Sequence, residues 1–194
     1  MRLEDTISIR PADPRTPPIQ KMISELDDYQ AALYPPESNH LEPVDNLISP
    51  EYFFIAAWKG HDVLGIASFR RISGTYVEIK RLYVPHQNRG LGLAIKLMDV
   101  LEKKAFQEGY SEARLETGIH QNEALSLYQK LGYEKTGPFG SYQEDPMSVL
   151  CAKSCFDRQQ INQTETVFLK SERVRFGRVG NREVKIDLLY FTRG

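Results

Sequence analysis

Gln87-Asn88-Arg89-Gly90-Leu91-Gly92 runs directly into an amphipathic stretch, LAIKLMDVLEKKA. Glycines one residue apart at a helix start let backbone N–H groups approach an anion with no Cβ in the way. The positive end of the helix dipole favours that anion further. The loop is therefore a candidate phosphate cradle, and the phosphate belongs to ATP, to a dinucleotide or to coenzyme A. An ATP-binding loop ends in Gly-Lys-Ser/Thr, whereas Gly92 is followed by Leu93 and Ala94, which removes ATP. A dinucleotide fingerprint wants a small residue where Ile95 stands, and its first strand near the start of the domain. What remains is Gln/Arg-x-x-Gly-x-Gly/Ala, a pattern that a glycine-rich helix start without any ligand also satisfies.

Such a loop needs a strand before it and a helix after it. The run TYVEIKRLYV supplies the strand. Strict alternation puts Tyr76, Glu78, Lys80, Leu82 and Val84 on one face and Val77, Ile79 and Tyr83 on the other. Behind the glycines, Leu91, Ala94, Met98, Leu101 and Ala105, with Leu97 beside them, recur at helical spacing until Gly109. Upstream, Pro17-Pro18 open a helix whose stripe is Ile19, Met22, Ile23 and Leu26. The proline-rich loop Leu33 to Pro43 and a short helical turn near Val44 to Ile48 follow. YFFIAAWKGHDVLGIASFRR reads as a strand–turn–strand hairpin. SEARLET is a strand, and Asn122 to Leu131 is a helix capped by Asn122 and stopped by Gly132. YEKTG and PMSVLCAK are further strands. The order β-α-β-β-β-α-β-α-β-β predicts an α/β fold: a mixed, mostly antiparallel sheet flanked by helices.

The chain has 194 residues, 41% hydrophobic and 26% charged, with a formal net charge of −1. That is enough for one domain with a core and a small appendage. The balanced charge argues against a nucleic-acid partner, and no apolar run approaches the ~20 residues that span a bilayer. The N-terminal stretch lacks the apolar segment of a signal peptide, so a cytoplasmic location is expected. Cys151 and Cys155 are too few for a disulfide framework or a zinc site, and no metal is expected. The boundaries read as 1–155 for the main domain and 156–194 for a β-rich extension. Apolar residues alternate through that extension, around a Gly180-Asn181 turn.

With EIKRLYV before the glycines and NEALSLYQKLGY after the next strand, the chain resembles the GNAT superfamily of acetyl-CoA-dependent N-acyltransferases over about residues 6–153. YPPESNHL, LETG and PFGSYQEDP look like an uncharacterised bacterial branch of it. The resemblance implies acetyl-CoA as co-substrate, with its pyrophosphate on the loop Gln87, Asn88, Arg89, Gly90, Leu91, Gly92 and Leu93. It also implies a pantetheine arm along Leu82, Tyr83 and Val84 and in contact with Asn122. Tyr128 falls where members of the superfamily place a tyrosine acid near the thioester sulfur. Glu78 falls where some draw a carboxylate base.

Acetyl transfer to an amine needs a free amine, a polarised thioester carbonyl and a proton for the departing thiolate, and a positioned acid or base is worth about 10²–10⁴ in rate. Tyr128 suits the last task, but it also extends the stripe Ala124, Leu127, Leu131 and so suits packing. Glu78 is equally a partner for Lys80 or Arg81. A backbone N–H near Tyr83 or Val84 would meet the carbonyl oxygen. For the acceptor, a small-molecule or peptide amine, the candidates are Tyr34, Glu37, Ser38 and His40 in one polar loop. Tyr142 and Asp145 are the candidates in a second, and Glu116 in the strand after the main helix. Each is also explicable as turn or capping chemistry. A non-catalytic CoA-binding module is the competing reading. The extension either lengthens the sheet edge or pairs two subunits into a homodimer.

Overall fold

The structure, a computed structural model, describes residues 6–39, 41–72 and 74–154, together with the backbone of 177–179 and 182–184. The chain divides into two compact units, Met1–Cys155 and Phe156–Gly194.

The first unit carries β1 (Ile7–Pro11), α1 (Pro17–Leu33), a 3₁₀ turn at Pro36–Ser38, α2 (Val44–Leu47), β2 (Tyr52–Lys59), β3 (Asp62–Ile72) and β4 (Tyr76–Tyr83). A 3₁₀ turn at His86–Asn88, α3 (Leu93–Gln107), β5 (Glu112–Gly118), α4 (Asn122–Lys130), β6 (Glu134–Lys135) and β7 (Ser148–Ser154) complete it. Seven strands form one sheet in the order β1-β2-β3-β4-β5-β7-β6. Every pairing is antiparallel except β4 with β5. A parallel pair cannot be closed by a hairpin, and α3 is the crossover between these two strands. In the second unit, β8 (Gly177–Val179) pairs antiparallel with β9 (Arg182–Val184). The turn expected at Gly180-Asn181, the other strands expected in the extension and Cys155 lie outside the described residues.

Local chemistry accounts for the elements. Pro17 and Pro18 have no N–H to leave unsatisfied in the first turn of α1, and Pro35 follows close on its end. Ile19, Met22, Ile23 and Leu26 are all buried, as their spacing predicts. The sheet separates two apolar layers. Ile55, Ala57, Phe69, Val77 and Ile79 pack with Leu93, Leu97, Met98 and Leu101 of α3 on one side. Phe54, Ala56 and Ile66 pack with Ile19, Met22 and Ile23 of α1 on the other.

Three details differ from the sequence reading. The helical stripe of α3 begins at Leu93, which is buried, whereas Leu91 is 53% exposed and precedes the helix. Gln121, not Asn122, occupies the N-cap position of α4, and no side chain caps it. The third difference concerns β4. The pairing with β3 runs from Ser68↔Lys80 to Ile66↔Tyr83, so Arg81 and Leu82 together oppose Ala67. Arg81 takes φ 58°, the left-handed region. This β-bulge inserts one residue and reverses the alternation beyond it. Leu82 and Val84 therefore pack with Val77 and Ile79 on the α3 side, and Tyr83 packs on the α1 side. Leu82 and Val84 do not share the face of Glu78 and Lys80.

Candidate functional site

β4 and β5 pair only as far as Ile79↔Leu115, although β4 continues to Tyr83 and β5 to Gly118. Beyond that point the two strands part, and a cleft of about 470 Å³ opens between them. One end of the cleft is walled by Arg89, Gly90, Gly92 and the first residues of α3. Gly90 (φ 79°) and Gly92 (φ 69°) hold the turn in left-handed backbone that other residues adopt only with strain. A Cβ added to either meets nothing within 4 Å, so the space in front of these glycines is open. Asn88 Nδ2 donates to Leu64 O (3.1 Å) and Arg89 Nε to Val84 O (3.2 Å), pinning the loop to the sheet. Gly65 allows β4 its close seat, because a Cβ there would stand 3.0 Å from Tyr83 O and from Val84 Cγ2. Unpaired backbone along the end of β4, helix N–H groups and open space before two glycines form a surface that fits a pantetheine and its pyrophosphate.

Of the residues expected at this donor end, Leu82, Tyr83, Val84, Arg89, Gly90, Gly92 and Leu93 line the cleft. Gln87 is exposed in the 3₁₀ turn, and Leu91 and Asn122 are exposed as well. Neither they nor Asn88 line the cleft.

Tyr128 reaches the cleft from α4 and is 7% exposed. Its ring meets that of Tyr133 edge-on at 5.8 Å. Burial raises the pKa of its phenol well above the ordinary value, with Glu116 and the Cys151 thiol adding to the effect. The hydroxyl therefore stays protonated and remains a donor. Glu116 lines the cleft from β5 and accepts from Ser148 Oγ at 2.7 Å.

Glu78 lies deeper. It is 6% exposed and does not line the cleft. Lys80 Nζ stands 2.8 Å from its Oε1, and Tyr142 Oη donates to the same oxygen at 2.6 Å. Lys80 Nζ also donates to Tyr142 Oη at 2.7 Å. The Tyr142 phenol is raised far out of its usual range by burial first and by the Glu78 carboxylate second. The member of this triad that faces the cleft is Lys80.

The remaining acceptor candidates stand off the cleft wall. Tyr34 is buried, its Oη accepts from the His120 N–H (2.9 Å), and its ring stacks on His120. It also covers Gly118, where a Cβ would lie 2.0 Å from the ring. Glu37 and Ser38 form the 3₁₀ turn after α1. Asp145 organises its own turn by accepting from Met147 N at 2.8 Å. His40 lies outside the described residues.

The cleft wall also includes residues to which the sequence reading gave no substrate role: Leu26, Tyr29 and Gln30 of α1, Leu41 and Glu42, and Lys80 with Arg81 at the bulge. Leu26, Tyr29 and Gln30 continue the buried stripe of α1 at i, i+3 and i+4, the one signal that could have found them. Among the described residues, no three His, Cys, Asp or Glu side chains gather as a metal site, and no helix is long and apolar enough to cross a membrane.

Residues 19–133 match the profile of the acetyltransferase (GNAT) family. An IAA acetyltransferase of Azospirillum brasilense is 35% identical over 148 residues, which are 76% of this chain and 97% of that one. A Klebsiella pneumoniae structure named as an acyl-CoA N-acyltransferase superposes with TM-score 0.66 at 32% identity, covering 78% of this chain and 99% of its own. A family member from Elizabethkingia anophelis with acetyl-CoA bound superposes with TM-score 0.58 at 20% identity, covering 77% and 99%.

Proposed function

The chain belongs to the GNAT acetyltransferase family, and from that premise we propose that it moves an acetyl group from acetyl-CoA to a primary amine of a small molecule or peptide. The observation that carries this reading is Tyr128, a buried phenol that stays protonated and lines the same cleft as the phosphate-type loop. The same residue weighs against a non-catalytic binding module, which would need no proton donor there.

Bound acetyl-CoA supplies an activated acetyl thioester, whose C–S bond breaks as the C–N bond to the amine forms. The N–H groups from Gly90 to Leu93 and the αL turn hold the pyrophosphate. Backbone at Leu82 to Val84, which has no partner on the β5 side, orients the arm, and an N–H there stabilises the carbonyl oxygen as it gains charge. The ammonium first loses one proton to solvent, because only the neutral amine attacks. Tyr128 Oη then gives its proton to the departing sulfur, and the second proton lost from the nitrogen as the amide forms returns to the phenolate through solvent. Glu78 is a poor direct base, because Lys80 and Tyr142 stand on its oxygen. Its part is to hold Lys80 against the acceptor wall. Glu116 lines the cleft, as Glu42 and Glu123 do, and is a better seat for an incoming ammonium than Glu78.

The experiment is thermal unfolding with and without acetyl-CoA, followed by thiol release over amino acids, polyamines, aminoglycosides and peptides. Ligand at 100 times its Kd stabilises by about 2.7 kcal/mol. No shift at millimolar acetyl-CoA overturns the donor assignment, and a shift without thiol release for any amine overturns the transfer.

A further inference from the structure

The bulge at Arg81 does more than bend β4. In a regular strand Lys80 and Arg81 would point to opposite faces. The inserted residue puts Arg81 on the same side as Lys80: Lys80 bonds Tyr142 and Glu78, while Arg81 bonds Asp27 of α1 and the carbonyl of Glu42. The Arg81 side chain is 5% exposed and sits in left-handed backbone, which costs a non-glycine residue about 1–2 kcal/mol. One guanidinium thus joins β4, α1 and the segment before α2. The residues next to its two partners are Leu26 beside Asp27 and Leu41 beside Glu42, and both line the cleft.

The same wall decides what the cleft accepts. Tyr29 (39% exposed) and Leu41 (36%) are large apolar side chains left partly open at the cleft, with Leu26 buried beside them. The two cations of this wall are engaged, Lys80 by Glu78 and Arg81 by Asp27. They are therefore poor anchors for an anionic substrate group. Building on the acetyl-transfer reading, we propose that Arg81 is a positioning residue that clamps α1 and the Leu41-Glu42 segment to the bulge, and that the wall so held receives the apolar body of a primary amine.

Phenethylamine and ethylamine test this as acceptors, because they share the amine and differ in the apolar body. With acetyl-CoA saturating, the wild-type chain should favour phenethylamine in kcat/KM by about 10- to 100-fold, the discrimination that an apolar wall supplies. Arg81→Gly keeps the left-handed turn, which glycine adopts freely, and removes only the clamp. It should raise the phenethylamine KM about tenfold, leave kcat within about threefold and leave acetyl-CoA Kd within about twofold. Ethylamine, which does not reach the wall, should suffer far less. Arg81→Lys keeps the charge but not the planar fork, and should fall on the side of the glycine variant.

Equal use of the two amines overturns the proposal, and so does turnover of neither by a chain that binds acetyl-CoA. An unchanged phenethylamine KM in Arg81→Gly refutes the clamp. Loss of acetyl-CoA binding in both variants also refutes it, since Arg81 would then support the whole cleft. Failure of the wild-type chain to bind acetyl-CoA is a different result: it removes the transfer reading on which this one rests.

Discussion

On the proposed acetyl transfer, the donor and acceptor ends of the cleft are made of different material. The donor end is mostly backbone: two left-handed glycines, the first N–H groups of α3 and the unpaired run of β4. Its parts lie within a dozen residues of one another. The acceptor end is mostly side chains, drawn from α1, the segment before α2, the bulge and β5. Buried contacts spanning 39 to 64 residues hold it together, among them Arg81–Glu42, Arg81–Asp27 and Tyr142–Glu78. A backbone cradle binds whatever side chains surround it. A wall of side chains changes its preference whenever one of them changes.

Tyr128 lines the cleft from α4 and is the proposed acid, so its removal should give the largest effect and should belong to neither end. Tyr128→Phe should lower kcat by about 10²–10⁴, the worth of a positioned acid. Acetyl-CoA Kd and acceptor KM should stay nearly unchanged. Titration calorimetry alongside steady-state thiol release reads all three. A large rise in Kd would make Tyr128 a packing residue of the donor end.

Gly118→Ala should act on the acceptor end. The new Cβ falls 2.0–2.6 Å from atoms of the Tyr34 ring. Tyr34 must leave its seat and its bond from the His120 N–H, at a cost of about 1–3 kcal/mol for overpacking. Tyr34 follows directly on α1, so acceptor KM should rise while acetyl-CoA Kd holds. Gly92→Ala should do the reverse. It has room for its methyl group but not the backbone conformation, and the left-handed turn costs alanine about 1–2 kcal/mol. Its acetyl-CoA Kd should rise about tenfold with acceptor KM unmoved. Crossed results in this pair would mean that the cleft is one unit and not two.

The same contrast explains what could be read from the sequence. QNRGLG is contiguous, and its chemistry is that of glycine and backbone, so composition alone places it at the start of a helix. The stripes of α1 and α4 and the hairpin strands follow from periodicity. The bulge leaves no mark on EIKRLYV, because nothing in its residue types says that Arg81 takes positive φ. The alternation carried through it put Leu82 and Val84 on the wrong face. Glu78 was visible as a carboxylate on a strand, but its partner Tyr142 stands 64 residues further along the chain. Asp145 and Tyr34 came from loops rich in polar residues. Such loops spend polar groups on their own turns and packing as readily as on a substrate, and these two do so. Tyr29 and Leu41 look ordinary in sequence, and only the folded cleft brings them together.

The smallest effect tests whether the donor end is as local as its construction implies. At the far end of α3, Glu108 accepts from Arg71 Nε and Nη2 of β3, both at 2.8 Å. Arg71 first, then Lys104, hold its carboxyl below the ordinary carboxylate range. The folded-state value is thus below the unfolded one. The stabilisation is complete above the unfolded value of about 4.3 and disappears as pH falls through the folded value. Both side chains are partly exposed, at 26% and 22%. The pair is therefore worth about 1 kcal/mol or less. Glu108→Gln should lower Tm at pH 7 by about 2–4 °C, and the gap from wild type should close as pH is taken from 5 toward 3. Acetyl-CoA Kd should not move, because Glu108 ends α3 and the pyrophosphate cradle begins it. A Kd that rises with the loss of this distant pair would show that the cradle depends on how the whole of α3 is seated, and the donor end would then be no more local than the acceptor wall.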